Sequence, residues 1–195
     1  MAYSIESTQD GCYPGTTVLI NKLDLRDQTA LDQAERISVT LHAAELEATT
    51  YTEPFTFDFY CSLHRDLFQD LYDWAGELRT INLSKKGTNF YHTDELLQYG
   101  EAKFQYLASE HDFQGLPKTE LAEKIADFYH EINMLHPFRE GNGRTQRLFF
   151  TLLIRRCGYS IDFANCDMDE LMMATIYAAQ GIQTYLVEFF QNAIH

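Results

Sequence analysis

Twelve contiguous residues concentrate groups able to do chemistry: His136-Pro137-Phe138-Arg139-Glu140-Gly141-Asn142-Gly143-Arg144-Thr145-Gln146-Arg147. Pro137 drives His136 out of the helical region and ends the preceding helix there. Gly141 and Gly143 flank Asn142 and let the backbone turn with successive N–H groups aimed one way. That is the composition of an anion nest feeding a helix N-terminus. Arg144 and Arg147 follow in the first helical turns, where cations oppose the helix dipole and need an anion to balance them. A polyphosphate meets that need. Glu140 offers a hard oxygen ligand to Mg²⁺ beside such phosphates, and His136 can accept a proton near neutral pH. A base, a metal ligand, an amide nest and two arginines in one loop suit phosphoryl or nucleotidyl transfer, which depends on positioning and charge neutralisation.

Each piece alone has a plainer explanation. A histidine after a helix is more often a cap, a Gly-Asn-Gly run more often a turn, and arginines three apart more often a solvated face. Their joint order and spacing carry the reading.

The elements that must position this loop are mostly helical by apolar spacing. Leu31, Ala34, Ile37, Leu41 and Leu46 trace a stripe after a capping box at Thr29 and Asp32. Leu63, Leu67, Leu71 and Trp74 trace a second, ended by Gly76. A third helix starts near Thr93 and runs through Leu97 and Phe104, and a fourth follows Pro117 with Leu121, Ile125, Phe128 and Ile132. Gly143 opens a fifth that stops at Gly158, Asp167 with Glu170 starts a sixth ending near Gly181, and Tyr185 to Ile194 form the last. The exception is a hairpin between Gly76 and His92, with arms Arg79–Leu83 and Thr88–Tyr91 around Lys85-Lys86-Gly87. A lone hairpin in a helical domain has no sheet to join, so its edges are expected to stay unpaired. It reads equally as a surface excursion or as a clamp offering an edge to an incoming peptide.

The 195 residues suffice for one domain, and no repeat or Gly/Pro/Ser-rich linker divides them. With 29 acidic against 15 basic residues the formal charge is -14, which disfavours a general binder of nucleic acid or anionic membranes. No signal peptide and no membrane-spanning run are evident. Cys12, Cys61, Cys157 and Cys166 lack ligand spacing, which argues against zinc and for reduced thiols in a cytoplasmic setting.

The loop matches without a gap the signature His-Pro-Phe-x-Asp/Glu-Gly-Asn-Gly-Arg-x-x-Arg, and the chain thereby resembles the Fic domain family. Tyr13-Pro14-Gly15-Thr16 with Asn21-Lys22-Leu23 is similar to the start of its bacterial cell-filamentation branch. Asp73-Trp74-Ala75-Gly76 with Arg79-Thr80 resembles the family's run into its flap. The likeness implies a mostly α, single helical domain over 1–195, with an N-terminal extension at 1–14, a β-hairpin flap at 77–91 and the active-site motif at 136–147. It further implies a protein adenylyltransferase that moves AMP from ATP, with Mg²⁺, to a Ser, Thr or Tyr hydroxyl of a target protein and releases pyrophosphate.

Carried over by position, His136 deprotonates the target and Glu140 holds Mg²⁺. The amides of Gly141, Asn142 and Gly143 form the anion hole, with the Asn142 side chain helping to fix the phosphates. Arg144 neutralises phosphate charge and Arg147 grips the γ-phosphate. Ser84, Lys85, Lys86, Gly87, Thr88, Asn89 and Phe90 form the flap that aligns the target segment. Glycine at 143, where the kinase-like Doc branch has lysine, favours AMP transfer. Phosphorylation, phosphocholination and a catalytically idle binding module are the alternatives.

The family's inhibitory Ser/Thr-x-x-x-Glu-Gly/Asn motif has two partial matches, ending at Glu53 before Pro54 and at Glu188 before Phe189. Neither is taken as the motif, so a toxin inhibited in trans is expected, with a small antitoxin supplying a glutamate to Arg147. The ATPase subunits of DNA gyrase and topoisomerase IV are targets by analogy only. Residues 77–91 and 136–147 together carry six basic and two acidic residues, a local balance of +4 in an acidic body.

Overall fold

The computed structural model describes residues 4–5, 11–85 and 87–195. Lys86 and much of the extension expected at 1–14 therefore lie outside the described residues. Among the described residues, seven helices carry the fold: α1 Gln28–Ala48, α2 Phe57–Phe68, α3 Leu96–Ser109, α4 Lys118–Leu135, α5 Asn142–Arg156, α6 Met168–Ala179 and α7 Thr184–Ala193. Strands β1 Ser4–Ile5, β2 Leu83–Lys85 and β3 Thr88–Asn89 make a small antiparallel sheet in the order β1-β2-β3. No described helix is long and apolar enough to cross a membrane.

The expected helices are all present, with corrections at their ends. The start of α1 is capped by Asp27, whose side chain accepts from the Ala30 N–H, and not by a box at Thr29 and Asp32. Its buried line is Leu31, Glu35 and Val39, so Ile37 and Leu41 of the expected stripe face outward, at 64% and 62% exposure. The second helix ends at Phe68, and Leu71, Tyr72 and Trp74 pack from the following turns. The hairpin arms are shorter than expected and not both unpaired. Ser84 faces Asn89 and Lys85 faces Thr88, while Ser4 and Ile5 pair with Ser84 and Leu83 across the other edge of β2. The chain's own N-terminal segment supplies the neighbour that the helical sequence gave no reason to expect.

One core runs through the bundle. Tyr60 of α2 packs against Phe138 of the loop and Phe149 of α5, with ring centroids 5.6 and 5.4 Å apart. Phe128 of α4 meets Phe150 at 5.8 Å, and Phe190 of α7 closes on Tyr129 at 5.2 Å. At the far end of α5, Arg156 pairs with buried Asp112 at 2.6 Å, lies over the Phe55 ring and donates to the carbonyls of Tyr51 and Glu53. The helix that opens with the glycine loop is thus pinned at both ends.

Candidate active site

Helix α4 ends at His136, which takes a left-handed conformation at φ 42° and ψ 57° and turns the chain into the loop. Non-glycine residues adopt that region rarely, and two contacts hold it there. The His136 carbonyl accepts from Arg79 Nε at 2.8 Å, and the Pro137 carbonyl accepts from the Arg79 N–H at 2.8 Å. Arg79 is buried and spends its other nitrogens on the carbonyls of Ile81 and Tyr91, at the two roots of the flap. One guanidinium therefore ties the histidine to the hairpin, and burial lowers its pKa to about 10.

The His136 ring donates from Nδ1 to the Asn133 carbonyl at 3.3 Å, which leaves Nε2 unprotonated. Burial, with the nearby charges of Lys85 and Arg79, depresses its pKa to about 3, well below the near-neutral range expected from the sequence, so the imidazole is neutral at physiological pH. Phe90 of the flap covers it, with ring centroids 3.8 Å apart and planes 6° from parallel.

The loop is built from inside. Phe138 is fully buried and stacks on His64 at 3.9 Å. His64 donates from Nε2 to the Glu140 carbonyl at 3.0 Å and accepts the Gly76 N–H on Nδ1 at 2.8 Å. Gly141, at φ 79°, lies so close to Phe68 that a Cβ would stand 2.5 Å from the ring. The Asn142 side chain accepts from the Phe138 N–H at 2.9 Å and donates to the Phe138 carbonyl at 2.7 Å. Its amide is committed to closing the loop, where the sequence had it reaching for phosphates. The Gly141 N–H is likewise engaged, by Glu140 Oε1 at 2.9 Å. Asn142 and Gly143, the first two residues of α5, have N–H groups with no acceptor one turn back.

A cavity of about 340 Å³ opens beside this N-terminus, and His136, Gly143, Arg147, Lys85, Thr88 and Phe90 reach it. Leu171, Met172, Thr175 and Ile176 of α6 supply its opposite, largely apolar wall. Arg147 makes no ion pair among the described residues.

Arg144 does not join it. Its guanidinium lies over Phe68, 2.6 Å from Glu35 Oε2 and 3.7 Å from Glu140 Oε1. Thus the structure brings together His136, Gly143, Arg147 and the described flap residues Lys85, Thr88 and Phe90. Glu140 and Arg144 are not among the residues lining the cavity: Glu140 holds the Gly141 N–H within the loop, and Arg144 turns to Glu35 of α1. Sequence reasoning missed Glu35, His64, the strut role of Arg79 and the α6 wall. Glu35, His64 and the α6 wall showed only as a lone acid in an apolar stripe, an unassigned histidine and an apolar helix face, and Arg79 only as part of the run into the flap.

The Fic/DOC family profile matches residues 54–154. The chain is 34% identical over 182 residues to "Probable protein adenylyltransferase Fic" of Escherichia coli, covering 93% of this chain and 90% of that protein. It is 35% identical over 187 residues to "Protein adenylyltransferase VbhT" of Bartonella schoenbuchensis, covering 92% of this chain but only 39% of that longer protein. Among solved structures, BepC of Bartonella tribocorum, determined with bound AMPPNP, superposes with a TM-score of 0.90 at 26% identity, covering 96% of this chain and 97% of that one. A cavity of this build, a helix N-terminus meeting a neutral histidine beneath a hairpin, sits in a helical domain of the Fic type. The chain belongs to the Fic/DOC family.

Proposed function

We propose that the chain is a protein adenylyltransferase, transferring AMP from ATP to a Ser, Thr or Tyr hydroxyl of a target protein. The hydroxyl oxygen attacks the α-phosphorus, its proton passes to His136 Nε2, and the bond to the β-phosphate oxygen breaks to release pyrophosphate. The observation that carries this reading is the shared cavity: the histidine, the helix N-terminus at Gly143 and the Arg147 guanidinium face one space. The N–H groups of Asn142 and Gly143 bind phosphate oxygens, Arg147 takes the terminal phosphate, and the α6 wall suits a purine base. The Gly141 N–H and the Asn142 side chain act one step back, by shaping the loop. The flap segment Ser84, Lys85, Lys86, Gly87, Thr88, Asn89 and Phe90 aligns the target, adding it along β3 or in the place of β1.

The donor set suits Mg²⁺. Glu140 is a carboxylate with one oxygen held by the Gly141 N–H, and its side chain is about a third exposed. A hard cation with one carboxylate and substrate phosphates is the usual Mg²⁺ arrangement. Bound there, it would neutralise charge on the phosphates. Inhibition comes in trans, from a separate antitoxin whose glutamate reaches Arg147. Supporting this, Glu53 and Glu188 are both exposed and neither pairs with Arg147.

ATP labelled on the α- or γ-phosphate, with Mg²⁺ and a target-containing extract, tests the reading. Label is expected on protein from the α-position only, and His136→Ala is expected to abolish it. Transfer of the γ-label would overturn it in favour of a kinase.

A further inference from the structure

Glu35 is an acid in the buried line of α1, 109 residues from the arginine it holds. Its Oε2 lies 2.6 Å from Arg144 Nη1, while Oε1 accepts the Tyr72 hydroxyl. Arg144 follows Glu140 by four residues, but Glu140 lies before α5, ahead of the left-handed Gly141, so their distance is set by the loop and not by helical spacing. Both Glu35 and Glu140 lie within ion-pair reach of the Arg144 guanidinium. The Glu140 contact is the long one, 3.7 Å, and the short, charge-assisted hydrogen bond goes to Glu35 at 2.6 Å. A guanidinium closed fully on Glu140 would cancel its charge and occupy the lone pairs a cation requires. The buried Glu35, oriented by Tyr72, draws Arg144 onto the Phe68 ring and leaves Glu140 with net negative charge.

We propose that Glu35 is a positioning residue that holds Arg144 away from Glu140 and so keeps a Glu140 oxygen available to a divalent cation. This rests on the reading of Glu140 as the Mg²⁺ ligand. Glu35 and Tyr72 act on the metal position through Arg144 and touch neither nucleotide nor metal.

The test measures binding of a non-hydrolysable ATP analogue by calorimetry, in Mg²⁺ and in EDTA. The ratio of the two dissociation constants reports the coupling to metal and cancels contributions Arg144 makes to nucleotide affinity alone. Glu35→Gln is expected to reduce that ratio about tenfold, and Tyr72→Phe to reduce it less. Adding Arg144→Gln to Glu35→Gln is expected to restore the ratio, because nothing then competes for Glu140. A double variant as poor as Glu35→Gln would mean that Glu35 merely props the helix, and would overturn the proposal. So would an unchanged ratio in Glu35→Gln. Should Glu35→Gln fail to fold, the Tyr72→Phe and Tyr72→Phe/Arg144→Gln pair decides by the same sign. A wild-type ratio of one overturns the Glu140 reading itself, which is distinct from a responsive wild type with an unresponsive variant.

Discussion

Two buried imidazoles bracket the loop with opposite tautomers, and the difference sorts their jobs. His136 gives its Nδ1 proton to the Asn133 carbonyl, whereas His64 gives its Nε2 proton to the Glu140 carbonyl and accepts the Gly76 N–H on Nδ1. Burial depresses both to about 3. The unfolded chain binds a proton at each near pH 6.5, while the folded chain does not until about pH 3. Between those values the unfolded state holds more protons, so stability falls as pH falls, by about 1.4 kcal/mol per pH unit for each histidine. Urea unfolding at pH 6 and pH 5 should show that slope, and His64→Phe, which keeps a ring against Phe138, should reduce it by up to about 1.4 kcal/mol per pH unit. A slope unchanged in His64→Phe would show that His64 is protonated in the folded chain. The loop around them was legible because its chemistry is contiguous in the chain. His64 was not, because its partners Gly76 and Glu140 come from 12 and 76 residues away.

Among the elements, the flap joins the site through a single stacked pair. Phe90 lies on His136, and Arg79 fixes the roots of the hairpin to the same histidine's carbonyl. Phe90 therefore covers one face of the His136 ring, while the residue still lines the cavity. A stacked aromatic pair contributes about 0.5–1.5 kcal/mol beyond area burial. Phe90→Ala should accordingly raise the rate of His136 modification by diethyl pyrocarbonate roughly two- to tenfold, followed by mass spectrometry at that residue. No acceleration would mean the ring is not the cover. Helix α1 shows why periodicity stopped short. Its buried line steps by four through Leu31, Glu35 and Val39, but a glutamate scores as solvent-facing, so the count moved to Ile37 and Leu41. The sheet pairing of Ser4 and Ile5 escaped for a related reason, since two residues carry no alternation to read.

For the whole molecule, the acidic surface and the basic pocket divide by location, and one core couples them. The aromatic cluster runs from the loop through α2 and α5 to α7, so the site cannot loosen independently of the body. Arg156 tests this from the end of α5 remote from the loop. It neutralises buried Asp112 at 2.6 Å, caps the Phe55 ring and satisfies two carbonyls of the segment before α2. Removing one partner of a buried ion pair leaves an uncompensated charge and costs about 3–5 kcal/mol. In a domain of this size each kcal/mol moves the midpoint by about 2–4 °C. Arg156→Ala should thus lower Tm by roughly 6–20 °C. Circular dichroism of the helices and fluorescence of Trp74, which stacks on Tyr72 beside Glu35, should fall in one coincident transition. Asp112→Ala/Arg156→Ala should lose less than the two single variants together, because no lone charge is left buried. Transitions that separate in Arg156→Ala would show that the glycine loop and the helical body unfold as two units, and that the core is not what holds the site.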